Sequence, residues 1–433
     1  MPRSTLSFLA VSVVALIPMT PSAFAADATL RRVPSLTAET ASAYPQNLAR
    51  LHLGAKIESE RPMDSSADSQ RFAALLTSDP TAVCTLPSGV TTLTLSLPRI
   101  ENVEAISFRL TGAKGTISVA SSNAKLPPTN PQWHKLPAEE ISSGTVTAKI
   151  GPVEAKYVSL TFDLAGPGQL TGLGVYAVPS IAEVAAPRHA RITSESTSFG
   201  FVGYSAADLH SKARALYVSS GPAIGEANRM IDDQIATTYS FGPDDHAPLA
   251  ILDLGKVAPL HRLAAAYSAR PGKLDFYVLQ SLPGTTERAL PEQLTISENA
   301  FTALTPVGSI AQNANQEYGA VDFPTTSGRY VILRWTPAAA GEGAFTIAEI
   351  AAFGPNNANT LLAANGNVVG RQGSGEDKDA GTGLEEKGAL EAKDVKDIPA
   401  EGPEEAPPSE GPPPNLPLPP PFTFIPQLVP TSP

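Results

Sequence analysis

Hydrophobic and polar residues alternate over many short stretches of the chain, which is the pattern of β-strands with one buried face. Between positions 92 and 97, leucine occupies every second position and threonine or serine occupies the others. Turns rich in glycine and proline separate such stretches, and the 3.6-residue period of an amphipathic helix is rarely seen. The pattern predicts an all-β protein made of antiparallel β-sandwiches.

The strand pattern occurs twice. In each occurrence two strand-like runs are followed, after an interval, by two more runs joined by a turn rich in glycine, proline or alanine. The matching stretches are 92–97 and 105–110 with 249–254 and 262–267, and 156–162 and 168–177 with 329–335 and 343–353. We therefore expect two copies of one β module.

The second copy resembles the discoidin-like domains, which are the coagulation-factor type C or galactose-binding-like jelly rolls. Residues 231–239 are similar to the family segment Asp-Gly-Asn-x-x-Thr-x-Trp, and 251–256 resemble its Asp-Leu-Gly strand end. The resemblance implies two antiparallel jelly-roll β-sandwiches, over 45–180 and 205–356, with a connector over 181–204. Glycines 172 and 174 flank the position where the second copy has Glu349, so we expect the first sandwich to be a degenerate copy without the site.

In relatives of this fold the loop that carries Asp232 often binds calcium. The resemblance implies a structural Ca²⁺ ion held by Asp232, Gln234, Thr237 and Glu349, and oxygen ligands of this kind are what calcium prefers. Asp233 stands where the family has glycine, and aspartate tolerates the left-handed backbone that such a position requires. The alternative is that Asp232 and Thr237 only hydrogen-bond within a turn.

Ligand binding in such folds uses loops at one end of the sandwich. The candidates are Phe241, Asp244 and His246 in one loop, and Tyr267 and Arg270 at the end of another strand. We expect these residues to contact carbohydrate or another cell-surface polymer. Two further aromatic residues, Tyr239 and Trp335, lie in or beside strands, which favours the core for both.

Composition and motifs exclude several other functions. The net charge of −11 over 433 residues argues against a nucleic-acid partner, because phosphate backbones require a basic surface. The one cysteine, Cys84, excludes a disulfide framework within the chain and is expected to be a small buried residue. The six histidines form no metal-binding spacing and no G-x-S-x-G motif is present, so we do not expect an enzyme.

The two ends of the chain differ from the middle. Residues 1–25 have one basic residue, an apolar run and a small-residue end, which indicates a cleaved secretory signal and a secreted or periplasmic product. No later segment approaches the length of a membrane span. Residues 371–433 are first acidic and then proline-rich, which predicts a disordered tail that is either a spacer or a docking peptide.

The preferred function is therefore non-catalytic binding of carbohydrate or a cell-surface polymer by an exported protein. The alternative is a structural or assembly protein of the cell envelope, which docks onto other envelope proteins through its sandwiches and its proline-rich tail.

Overall fold

Seventeen strands carry the fold in a computed structural model that describes residues 27–60, 72–178, 204–283, 285, 290–312, 315–339 and 344–354. The predicted signal over 1–25, nearly all of the connector over 181–204, and the tail over 371–433 lie outside the described residues. The strands are β1 (Ala28–Arg32), β2 (Lys56–Ser59), β3 (Cys84–Leu86), β4 (Gly89–Thr111), β5 (Gly115–Ser122), β6 (His134–Lys135), β7 (Glu139–Ile141), β8 (Gly144–Leu164), β9 (Gly168–Ala177), β10 (Arg214–Val218), β11 (Tyr239–Ser240), β12 (Leu249–Tyr267), β13 (Gly272–Leu279), β14 (Gln293–Ile296), β15 (Gly308–Gln312), β16 (Tyr318–Pro337) and β17 (Thr346–Phe353).

Helices are few and short among the described residues. The two α-helices are α1 (Ala38–Ala41) and α2 (Glu298–Ala303), and each begins after a hydroxyl residue whose side chain accepts a hydrogen bond from a backbone N–H of the first turn. Four 3₁₀ helices cover Leu51–Leu53, Ala74–Leu76, Leu209–Ser211 and Ile224–Ile231. None of the described helices has the length and apolar character that crossing a membrane requires.

The strands form two antiparallel β-sandwiches. In the first sandwich the order is β3-β9-β4-β8-β5-β6, with β2 on β4 and β7 on β5; in the second it is β14-β1-β10-β12-β16-β13-β15, with β17 on β12 and β11 on β17. The second sandwich thus repeats the pairing of the first, because β12, β16 and β17 pair as β4, β8 and β9 do. The predicted internal repeat is confirmed.

One long strand in each sandwich replaces two strands expected from the sequence. The first half of β12 lies between β10 and β16, and its second half lies between β17 and β16. The register shifts between Asp253 and Ala258, where Lys256 and Val257 are exposed in mid-strand. Such irregularities bend a strand, so one strand serves both layers of the sandwich. Strand β4 has the same construction, with its register shift between Ser96 and Glu101.

Each sandwich has its own hydrophobic core. In the first core Leu93, Leu95 and Leu97 are buried while the residues between them are half-buried, as the alternation predicts. Cys84 is buried in this core, and Tyr239 and Trp335 are buried in the second core, which confirms the three predictions. The period-2 pattern therefore identifies the core-facing side of these strands.

Strand β1 belongs to the second sandwich although it precedes the first sandwich in the chain. It lies between β10 and β14, with Arg31 opposite Val218 and Leu30 opposite Leu294. Leu30 is fully buried in a cluster with Tyr217. The N-terminal strand is thus a structural part of the second sandwich.

Candidate functional site

The acidic loop, which we define as residues 232–237, follows the 3₁₀ helix Ile224–Ile231 in the second sandwich. The backbone N–H of Gln234 donates to the carboxylate of Asp232 at 3.1 Å, and Thr237 Oγ1 lies 2.9 and 2.8 Å from the two oxygens of that carboxylate. Asp233 has φ 59°, so the left-handed conformation expected for this position is confirmed. These contacts fix both aspartates within a tight turn.

Glu349 on β17 contributes a further carboxylate to this region. It is only 5% exposed, and its Oε2 atom is buried without a hydrogen-bond partner. Burial, together with the charges of Asp233, Asp232 and Asp208, raises the pKa of Glu349 well above its usual range. Burial also raises the pKa of Asp232 well above its usual range. The region therefore holds more negative charge than its surroundings stabilise easily.

The four predicted calcium ligands differ in their hydrogen bonding. Asp232, Gln234 and Thr237 are hydrogen-bonded to one another, whereas Glu349 has one unpartnered oxygen. Within the part of the chain that the structure describes, no group of three or more His, Cys, Asp or Glu residues is arranged to hold a metal ion. An ion that needs six to eight oxygens would have to take these oxygens from existing partners. Calcium binding at this loop stays a prediction.

The acidic loop contacts the first sandwich through Asp233. The Arg50 guanidinium donates from Nε to Asp233 Oδ2 at 2.6 Å and from Nη2 to Asp233 Oδ1. Asn47 Nδ2 and the Tyr176 hydroxyl each donate to the backbone carbonyl of Asp233, both at 3.2 Å. Arg50 is 3% exposed, so this ion pair is buried between the sandwiches.

A second arginine–aspartate contact joins the two sandwiches, and here the second sandwich supplies the arginine and the first supplies the aspartate. The facing loop, which we define as residues 77–81, belongs to the first sandwich. Its Asp79 accepts hydrogen bonds from the backbone N–H and the hydroxyl of Thr81. Arg262 of the second sandwich donates to Asp79 Oδ2 at 3.1 Å and to Thr81 Oγ1 at 2.9 Å. Each sandwich thus supplies an arginine to an aspartate loop of the other.

Neither arginine was identified from the sequence. Arg50 lies between the first predicted strands and the N-terminal region, and Arg262 begins a predicted strand run over 262–267. Spacing along the chain gives no sign that either residue reaches the other sandwich. A small cleft remains between the two loops, and Arg50, Ser78 and Glu349 are among the residues that line it.

Two of the five predicted ligand-binding residues lie in the hydrophobic core. Phe241 is 1% exposed and Tyr267 is 4% exposed. Both rings stack on Phe345, with ring centroids 6.2 and 6.3 Å away, and Trp335 stacks on the same phenylalanine at 4.5 Å. This position corrects the expectation of surface-exposed aromatics, because packing into an aromatic cluster buries more apolar surface than a loop position could. Neither ring is available to a ligand at the surface.

The other three predicted residues lie in loops that meet at one end of the second sandwich. We call this the loop end; it comprises residues 241–248, 268–271 and 336–339. The N–H of Trp335 donates to Pro248 O at 2.8 Å, and the N–H of Ala338 donates to Pro271 O at 3.1 Å. These backbone bonds connect the three loops into one surface.

The polar groups of the loop end have different environments. The side chain of Asp245 is held in place, since its carboxylate accepts hydrogen bonds from the hydroxyls of Ser219 and Ser220. Asp244 and His246 on either side of it are exposed. Arg270 is half-buried, and its Nε atom is buried without a hydrogen-bond partner. The loop end therefore presents a carboxylate, an imidazole and a guanidinium on a fixed backbone.

Comparison with known proteins gives remote likenesses only. No protein-family model matches the chain, and no curated protein matches it. The chain is similar to a fucolectin from striped bass (Morone saxatilis) serum, with 13% identity, a TM-score of 0.27, and coverage of 72% of this chain and 98% of that chain. It is also similar to chitosan-binding module 1 of a chitosanase/glucanase from Paenibacillus sp. IK-5, with 16% identity, a TM-score of 0.27, and coverage of 35% and 99%.

A third similar structure is a Ruminococcus gnavus fucosidase in complex with fucose. The identity is 13% and the TM-score is 0.28, and the match covers 36% of this chain and 28% of that chain. The identity and the TM-score of all three likenesses are low. The function has to be argued from the residues themselves.

Proposed function

We propose that this chain is an exported, non-catalytic binding protein that recognises carbohydrate or another hydroxyl-rich cell-surface polymer at the loop end of the second sandwich. The observation that carries the proposal is that the exposed Asp244 and His246 and the half-buried Arg270 lie in loops at one end of the second sandwich, on backbones that are hydrogen-bonded to the same strand end. A few polar groups on such a preformed frame are what a hydroxyl-rich ligand needs for recognition.

The chemistry of the loop end suits a polyol. A guanidinium offers several donors in a fixed plane, while an ionised carboxylate such as that of Asp244 only accepts. Vicinal sugar hydroxyls both donate and accept, and they can therefore satisfy both kinds of group at once. The exposed imidazole of His246 adds a third polar contact. Binding sites commonly use a few convergent polar groups of this kind on a preformed frame.

The state of the two adjacent aspartates supports a non-catalytic role. Glycoside hydrolysis generally needs two carboxyl groups that flank the bond to be cleaved. The Asp245 carboxylate is occupied by Ser219, Ser220 and the N–H of Ala247, which leaves Asp244 as the exposed carboxylate of the pair. Export is inferred from the signal-like pattern of residues 1–25.

A glycan array with Arg270→Ala as the test variant examines the proposal. The full chain should bind one or more neutral or acidic glycans, and Arg270→Ala should bind the same glycans at least tenfold more weakly. Arg99→Ala serves as the matched control, because Arg99 is an exposed arginine of the first sandwich whose side chain is 61% exposed. Circular dichroism should show that both variants remain folded.

Two results would overturn the proposal. Folded wild-type protein that binds no glycan reproducibly would favour the assembly role, in which sandwiches and tail dock onto envelope proteins. Equal weakening by Arg270→Ala and Arg99→Ala would place the binding surface away from the loop end.

A further inference from the structure

The junction between the sandwiches concentrates carboxylates away from water. Asp208, Asp232, Asp233 and Glu349 are all buried, and their mutual repulsion is among the causes that raise the pKa of Glu349. Carboxylates that are taken out of water require a nearby cation, a proton or several hydrogen bonds to remain in place. Asp208 accepts a hydrogen bond from the backbone N–H of His210 at 2.7 Å, and the His210 imidazole lies beside it, with 3.4 Å between Nδ1 and Oδ1.

Arg50 provides the corresponding charge for the acidic loop. It engages both oxygens of Asp233, which is the bidentate arrangement that makes guanidinium–carboxylate pairs strong. Its remaining Nη1 donates to the carbonyls of Ala49 at 3.0 Å and Leu173 at 2.8 Å. Nearby Asp233 raises the pKa of Arg50, so the guanidinium keeps its charge despite burial.

The first sandwich contributes to the position of Arg50. The residue directly precedes the 3₁₀ helix Leu51–Leu53, and two of its hydrogen bonds go to carbonyls of its own sandwich. These bonds hold one end of the guanidinium while the other end contacts Asp233. A positioned cation of this kind replaces water around the loop at a smaller entropic cost than a mobile surface side chain would have.

We propose that the Arg50 guanidinium acts as a built-in cation for the acidic loop of the second sandwich, supplied by the first sandwich in the place of a bound metal ion. Asp233, which has a left-handed backbone conformation, makes this replacement of a metal ion by an arginine possible. The family pattern has glycine at this position, and glycine has no carboxylate with which an arginine could pair. A second arginine crosses the junction in the other direction, since Arg262 donates one hydrogen bond to Asp79 of the facing loop while its Nη1 contacts Asp322 of its own sandwich. The two sandwiches thus neutralise each other's aspartate loops.

The proposal goes beyond carbohydrate binding and is tested by a different measurement. Thermal unfolding of the full chain is followed in millimolar calcium, in millimolar magnesium and in chelator. Wild-type protein should melt at the same temperature in all three. Arg50→Met keeps much of the length of the side chain but removes the charge; it should melt several degrees lower in chelator and recover part of this loss in calcium.

Two further variants keep the test informative. Arg50→Met combined with Asp233→Asn should melt higher than Arg50→Met alone in chelator, because the carboxylate that lost its counter-charge is also removed. Arg50→Lys retains the charge, so it should stay indifferent to calcium even if Arg50→Met fails to fold. Isothermal titration of wild-type protein with calcium chloride should show no binding at this loop.

Opposite results would overturn the proposal. A calcium-dependent rise in the wild-type melting temperature that Asp232→Asn abolishes would mean that the loop binds the ion expected from the family resemblance despite Arg50. If Arg50→Met has the same melting temperature with and without the Asp233→Asn change, the arginine does not compensate the charge of Asp233. Glycan binding could still hold in either case, because the loop end is a separate surface of the second sandwich.

Discussion

Replacing Leu30 by alanine tests whether β1 stabilises the second sandwich. Leu30 is fully buried and packs in a cluster that includes Tyr217, Leu249 and Ile332. Leucine-to-alanine changes in well-packed cores cost about 2–5 kcal/mol, because the transfer free energy of the lost carbons adds to the cost of a cavity. We expect a loss in this range from the free energy of unfolding of the second sandwich.

The two tryptophans make the effect assignable to one sandwich. The sequence contains two, and Trp133 lies in the first sandwich while Trp335 lies in the second. In a Trp133→Phe background, fluorescence during urea unfolding reports on Trp335, and Leu30→Ala should move this transition to lower urea. Val257→Ala is the control, because Val257 on β12 is 57% exposed and its truncation should cost less than about 0.5 kcal/mol.

The reasoning fails if Leu30→Ala and Val257→Ala have the same urea midpoint for the transition reported by Trp335. It also fails if, in the complementary Trp335→Phe background, the transition reported by Trp133 shifts while that of Trp335 does not. A joint shift of both transitions would show in addition that the buried ion pairs between the sandwiches couple their unfolding.

Acidic pH, and a single methyl group added at the junction between the sandwiches, should each lower the stability of the protein. Burial lowers the pKa of His52 from 6.5 to about 4, so the unfolded state takes up the proton first and stability is lost as the pH falls from about 6.5 towards 4. This loss of unfolding free energy is at most about 3 kcal/mol. Urea unfolding at pH 7 and pH 4.5 should show that His52→Gln loses less stability on acidification than the wild type does. An equal loss in both proteins would contradict the role given to His52. Gly172→Ala should lower stability by about 1–2 kcal/mol in thermal unfolding, because Gly172 has φ +62° and a Cβ atom there would lie 3.0 Å from the side chain of Ile235. Gly166→Ala, which meets nothing within 4 Å, is its control, and an equal effect of the two changes would remove the steric explanation.

The alternation of leucine with threonine was sufficient to predict the buried face of β4, and the repeat was sufficient to predict two similar sandwiches. Both signals are local, because strand periodicity is present in the sequence itself. The sequence did not reveal that 92–97 and 105–110 are halves of one strand. The bend between them is made by an irregular register that depends on the neighbouring strand β8.

The candidate site was predictable only in part. The φ of Asp233 followed from the glycine at that place in the family pattern, and the value of 59° agrees with it. The burial of Phe241 and Tyr267 did not follow, because an aromatic residue at a loop boundary has the same local sequence whether it points outward or inward. The roles of Arg50 and Arg262 could not be seen, since each depends on how one sandwich packs on the other.

The position of β1 has a consequence for the order in which the protein is made and folded. The strand leaves the ribosome before any of the first sandwich, yet its partner segment lies far along the chain; Arg32 and Glu292 are in contact across 260 positions. The first sandwich pairs strands from within 56–177 and can close on its own strands while β1 waits. Contacts between such distant segments form slowly, because a long loop must be closed before they contribute. Strand β1 is therefore synthesised before the first sandwich and yet is expected to be among the last of the described strands to be placed.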